Sequence, residues 1–162
     1  MSDHFESRAT ENYSELRRSL LVAMLAMPLS AMAESATTID VWKTPECGCC
    51  KDWIKHLQSN GFQVVAHDVG DTSEMRRKLS MPDQFGSCHS GSVNGYALEG
   101  HVPAKEIRRL LRERPMAVGL SVPAMPLGAP GMDGPEYQGR SFPYEVLLIG
   151  KNGRTSVYQA YK

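Results

Sequence analysis

Residues 38–69 read TIDVWKTPECGCCKDWIKHLQSNGFQVVAHDV, and this stretch decides the fold. Thr38 to Lys43 alternates apolar and polar side chains and is rich in β-formers, which predicts a first strand. After Thr44-Pro45-Glu46-Cys47, the residues Cys50, Trp53, Ile54 and Leu57 fall at i, i+3, i+4 and i+7, with Lys51, Asp52, Lys55 and Gln58 on the other face. That is an amphipathic helix, and Asn60-Gly61 stops it. Phe62 to Val69 predicts a second strand, so the unit is β-α-β and implies two parallel strands joined by a crossover.

Working outward, Asp71-Thr-Ser-Glu74 looks like a capping box opening a short helix that ends near Pro82. Pro82 to Ser92 is loop by composition and places Cys88-His89 on it, and Val93 to His101 predicts a strand interrupted by glycine. Pro103 at a first helical position, with Ile107, Leu110 and Leu111 opposing Arg108, Arg109, Arg112 and Arg114, predicts a third helix closed by Pro115. Val122 to Pro135 is too rich in proline and glycine for regular structure. Tyr144–Ile149 and Thr155–Tyr161 flank an Asn152-Gly153 turn and predict a terminal β-hairpin. The fold class expected is α/β around a mixed sheet.

Upstream, Arg17-Arg18 precedes an apolar run from Ser19 to Leu29 and then Ala31-Met32-Ala33. This is the pattern of a secretory signal cleaved after Ala33, too short to span a bilayer. The Leu-Arg-Arg-Ser-Leu-Leu context favours Sec over Tat export. Residues 1–33 are thus expected to be a signal peptide and 34–162 a periplasmic domain free of the membrane. With 162 residues and 18 basic against 18 acidic side chains, the chain suits one such domain and shows no charge excess for nucleic acid.

All four cysteines lie in Cys47-Gly-Cys49-Cys50 and in Cys88-His89. Cys47 and Cys50 have C-x-x-C spacing at a helix start, where the helix-terminal N–H groups lower a thiol pKa. Thiolate serves both metal ligation and disulfide exchange. The third sulfur, Cys49, raises the soft-ligand count beyond what a dithiol catalyst needs, and Cys88 and His89 can add a further thiolate and an imidazole. Met125, between Pro123 and Pro126, and Met132 are candidate thioether donors that favour copper(I) over its rival zinc. The bland readings stand beside these. Four cysteines in an exported domain can make structural disulfides, with Cys47 or Cys50 pairing Cys88. His89 can be a solvated loop residue, both methionines core filling, His56 and His67 surface or packing residues, and His101 a helix-entry residue.

WKTPECGCCKDW from Trp42 to Trp53, with EGHVPA from Glu99 to Ala104 and GLSVPAMPLGAPGM from Gly119 to Met132, resembles the CopG-type family of exported metal-binding proteins associated with copper resistance. The resemblance covers roughly Ile39 to the C-terminus. It implies a thioredoxin-like sandwich, here with an insertion at Pro82 to Pro115 before the last β-hairpin and no clear C-terminal helix. It further implies copper handling by Cys47, Cys49, Cys50 and Cys88, with Met125 on a loop facing them and a cis-proline at Pro123 or Pro126. The expected function is binding of copper(I), as a single ion or a cluster, for sequestration or transfer to other periplasmic copper-handling proteins. A thiol or copper oxidoreductase using Cys47 and Cys50 is the alternative, and a disulfide-stapled binding module the third reading.

Overall fold

The structure, a computed structural model, describes residues 36–162. The expected signal peptide lies outside them. Strand β1 (Thr38–Lys43) buries alternate residues, Ile39, Val41 and Lys43. Lys43 is tolerated there because Asp68 of β2 (Gln63–Asp68) accepts from its ammonium at 2.5 Å. Between them α1 (Gly48–Ser59) turns Cys50, Trp53 and Leu57 inward. Its stop follows from Asn60 and from Gly61, whose φ of +81° suits a residue without Cβ. The β-α-β expectation is met, with β1 and β2 parallel.

Helix α2 (Ser73–Lys78) departs from a capping box. Asp71 does accept from the Ser73 amide at 2.8 Å, but Glu74 turns to Lys78 instead of reaching back. The larger correction concerns residues 82–101. β3 (His89–Val93) begins inside the expected loop and pairs antiparallel with β1, so Cys88 is the last residue before a central strand. Its Ser-Gly-Ser composition reads as loop, yet a side chain at Gly91 would press against the Asp40 carbonyl at 3.2 Å and the Leu98 Cβ at 3.5 Å. Close strand packing overrides propensity here. The glycine interruption is a tight turn at Asn94-Gly95, both at positive φ, which leads into β4 (Tyr96–Glu99).

Pro103 caps α3 (Ala104–Glu113) rather than occupying its first turn, and the Ala104 amide donates to His56 Nε2 at 3.1 Å. The helix ends on Arg114 in the left-handed conformation, one residue before Pro115. β5 (Ala117–Ser121), not among the expected strands, runs parallel to β4. β6 (Tyr144–Gly150) and β7 (Thr155–Tyr161) form the expected hairpin. All seven strands make one mixed sheet in the order β2-β1-β3-β4-β5-β6-β7. Residues 82–115, expected as an insertion, therefore supply central strands and α3, and the irregular segment ahead of the last hairpin is 122–143. Among the described residues β7 is the last element.

Strand alternation sorts the core onto two faces. Trp53, Leu57, Ile107 and Leu110 of α1 and α3 pack with Ile39, Val41, Leu98 and Leu120. Met81 and Phe85, just after α2, pack with Ala97 and Ile149 on the other face. Every peptide bond among the described residues is trans, so neither Pro123 nor Pro126 is the expected cis-proline. No described helix is long and apolar enough to cross a membrane.

Candidate metal centre

The C-x-C-C run sits where β1 hands the chain to α1. The Cys47 amide donates to the Thr44 carbonyl at 3.2 Å, and Cys47 takes the N-cap position in extended conformation, with Cys49 and Cys50 inside the first turn. Three-residue helical spacing brings Cys47 and Cys50 together, with Cα atoms 5.3 Å apart, and they form a disulfide. The alternative structural pairing of Cys47 or Cys50 with Cys88 is not the one formed: Cys49 and Cys88 are free thiols. Cys50 is fully buried above Trp53, whereas Cys49 is half-buried, 3.6 Å from Cys47 Sγ and 3.8 Å from Cys88 Sγ. All four sulfurs lie within 4.8 Å of one another.

Cys88 also belongs to a second group. His89 Nδ1 and His101 Nε2 each lie 3.3 Å from its sulfur, and both rings are fully buried. His89 is thus not a solvated loop residue, and His101 is not merely the entry to α3. The other nitrogen of each ring faces a backbone carbonyl: His89 Nε2 meets Gly100 O at 3.0 Å, and His101 Nδ1 meets Pro130 O at 2.8 Å. A carbonyl only accepts, so those nitrogens carry the N–H. Burial, and for His89 the neighbouring His101, hold both imidazoles below their usual pKa, His89 down to about 3. Both rings are therefore neutral near pH 7, and each aims a lone pair at Cys88 Sγ.

One thiol proton serves only one of those lone pairs. Burial, then the neighbouring Cys49, pushes the Cys88 thiol up to about 12, so the sulfur keeps that proton until something displaces it. A cation satisfies both nitrogens and the sulfur at once, and carbonyl-fixed tautomers are the usual outer support of metal-binding histidines. The rings are immobilised further: His89 lies tilted by 32° against Trp53 with ring centroids 4.3 Å apart, the Trp53 indole N–H donates to Val102 O at 2.8 Å, and His101 meets His89 edge-on at 5.0 Å.

The 122–143 segment closes one side. Gly131, at φ +84°, lies against the first turn of α1, where a Cβ would be 2.7 Å from both Cys49 O and Trp53 N. Met132 follows it, nearly buried, with its sulfur accepting from Tyr137 Oη at 3.4 Å. Met125 is half exposed, beside Ala124, whose carbonyl accepts from Ser87 Oγ. The structure thus joins Cys47, Cys49, Cys50, Cys88 and His89, adds the unforeseen His101, and leaves Met125 and Met132 on the surrounding loop. A sequence signal for His101 existed. If Asn94-Gly95 is a two-residue turn, the ladder pairs Ser90 with Glu99, and two further steps bring Cys88 opposite His101.

Residues 85–132 match a family described as "Protein of unknown function, DUF411". No curated protein matches the chain. Two solved structures of a copper resistance protein CopG are similar to it. Form 2 has 45% identity and a TM-score of 0.72, covering 78% of this chain and 99% of that one. Form 1 has 45% identity and a TM-score of 0.71, covering 78% and 98%. With identity at that level spread over nearly the whole of its relative, the chain belongs to the CopG-type family of copper resistance proteins.

Proposed function

We propose that this is an exported copper(I)-binding protein that sequesters or transfers copper through its cysteine thiolates in copper resistance. The observation that carries the reading is the convergence of four sulfurs within 4.8 Å, with Cys88 shared between them and the two imidazoles. Clustered thiolates are soft donors that suit copper(I) and bridge more than one ion, and the relatives' copper resistance role supports the choice over zinc. Met125 and Met132 are proposed as auxiliary thioether donors, and His101 joins His89 as an imidazole donor. Export rests on the signal-like pattern ending at Ala33.

The Cys47–Cys50 disulfide withholds two sulfurs, so full loading requires its two-electron reduction to two thiols. The same disulfide favours the second reading, a thiol or copper oxidoreductase using that pair. An anaerobic copper(I) titration of the reduced domain against a competing chelator, with zinc in parallel, tests the first. More than one copper bound tightly per chain is expected. Failure to bind, or no preference over zinc, would overturn it, and turnover in a thiol-exchange or copper oxidation assay would establish the second.

A further inference from the structure

Cys88 lies at the end of a loop, yet its sulfur stands within contact of three other donor atoms. Something must hold that loop end in place. The preceding residue, Ser87, is gripped at both backbone polar groups by one ion pair from the face of the sheet opposite α1. The Glu99 carboxylate, 1% exposed, accepts from the Ser87 amide at 2.7 Å and from Arg76 Nε at 2.9 Å through Oε1, and from Ser90 Oγ at 2.7 Å through Oε2. Arg76, on α2, donates a second N–H to the Ser87 carbonyl at 2.9 Å. The guanidinium lies flush on Gly86, where a Cβ would sit 2.8 Å from Arg76 Cζ. On the other side Gly100, at φ +70°, abuts Ser87, where a Cβ would be 2.7 Å from Ser87 Oγ.

A buried ion pair adds little net stability, because desolvation offsets most of the Coulombic gain. Its geometry is the informative part. The fork of an arginine reaches a carboxylate and a carbonyl at once, which a lysine ammonium does not reproduce.

We propose that Arg76 and Glu99 are positioning residues for Cys88, fixing the Ser87 peptide so that the Cys88 sulfur meets Cys49, His89 and His101 before any metal arrives. The affinity consequence rests on the copper reading above, whereas the geometric consequence does not.

Arg76→Lys and Glu99→Gln test it with two readouts, folding being checked by circular dichroism and thermal melts. The metal-free readout uses a Cys47→Ser/Cys50→Ser background in a glutathione buffer. There glutathione disulfide oxidises Cys49 and Cys88 to one disulfide and is itself reduced to two glutathione thiols. The equilibrium gives the effective concentration of one thiol at the other, and a fall of about tenfold or more in either variant is expected, on the scale of lost outer support at metal sites. The second readout is competitor affinity for copper(I) in the otherwise native chain, where a loss of about 10–100-fold is expected and vanishes when Cys88→Ser is added. Unchanged effective concentration in folded variants, or an equal affinity loss with and without Cys88, would overturn the proposal. Failure of both variants to fold would overturn it too, by making the pair a requirement of the fold. If the native chain binds no copper(I), the copper reading falls and the disulfide equilibrium still decides the positioning role.

Discussion

The two sides of the centre are built in opposite ways. Cys47, Cys49 and Cys50 come from four consecutive residues at the start of α1, while Cys88, His89 and His101 come from the ends of two paired strands. On the sulfur side, proximity is a property of one helical turn, and two of the donors are tied up in a disulfide. On the imidazole side, proximity depends on the sheet, and backbone carbonyls of Gly100 and Pro130 have already chosen the tautomers. The first side has two ligands withheld by its own disulfide; the two imidazoles are unaffected by redox state. Cys88 belongs to both.

Cys88→Ser is therefore expected to do the most damage. It should lower copper(I) affinity by more than the roughly 10–100-fold typical of an outer-shell loss, and reduce the copper-to-protein ratio in an anaerobic titration. Cys50→Ser should follow, since it removes one donor and abolishes the disulfide. Metal binding in that variant should lose the part of its oxidation response that the Cys47–Cys50 disulfide causes and keep only what Cys49 and Cys88 contribute, a difference read by titrating oxidised and reduced samples in parallel. A response as large as that of the native chain would mean that the Cys47–Cys50 pair does not control the site.

His101→Ala sharpens the contrast further. With Cys47 and Cys50 oxidised, the thiols left are Cys49 and Cys88 beside the two imidazoles, so the loss of affinity should be greater in the oxidised protein than in the reduced one. Equal losses would assign His101 to packing alone.

A smaller effect concerns pH. The folded state holds His89 near 3 and lowers His101 and His56, all chiefly by burial, against the ordinary histidine value of 6.5. The unfolded chain therefore binds more protons as pH falls below about 6.5, and stability that is complete above that value declines towards about pH 3. Urea midpoints measured across this window should fall with decreasing pH, and His89→Gln, if folded, should flatten the slope by about one proton. Met125→Leu is expected to change least, because its half-exposed side chain lies at the rim and leucine conserves most of its volume. A large loss of copper affinity in that variant would place the thioether among the principal donors.

β1 is legible in the sequence to its boundaries, and α1 with its Asn60-Gly61 stop follows from periodicity, because both depend on local pattern. β3 is hidden by its Ser-Gly-Ser composition, and only the strand register shows that a Cβ at Gly91 would crowd the Asp40 carbonyl at 3.2 Å. β5 does alternate, with Val118, Leu120 and Val122 around Gly119 and Ser121, but its central glycine and the flanking Pro115 and Pro123 merge it with the irregular segment that follows. His101 reads as helix entry because Val102-Pro103 follow it, while its opposition to Cys88 follows only from Asn94-Gly95 as a turn and the ladder register beyond it.

The sequence by itself determined the sulfur-rich turn, since residues three apart on a helix must meet and a strand running into C-x-C-C leaves little choice of geometry. Only the tertiary structure decided that Cys88 completes that turn, that two buried imidazoles point at its sulfur, and that Arg76 and Glu99 hold its loop. The reason is physical: helical neighbours are set by local backbone dihedrals, whereas the partners of a strand end are set by register and by the packing of segments far apart in the chain.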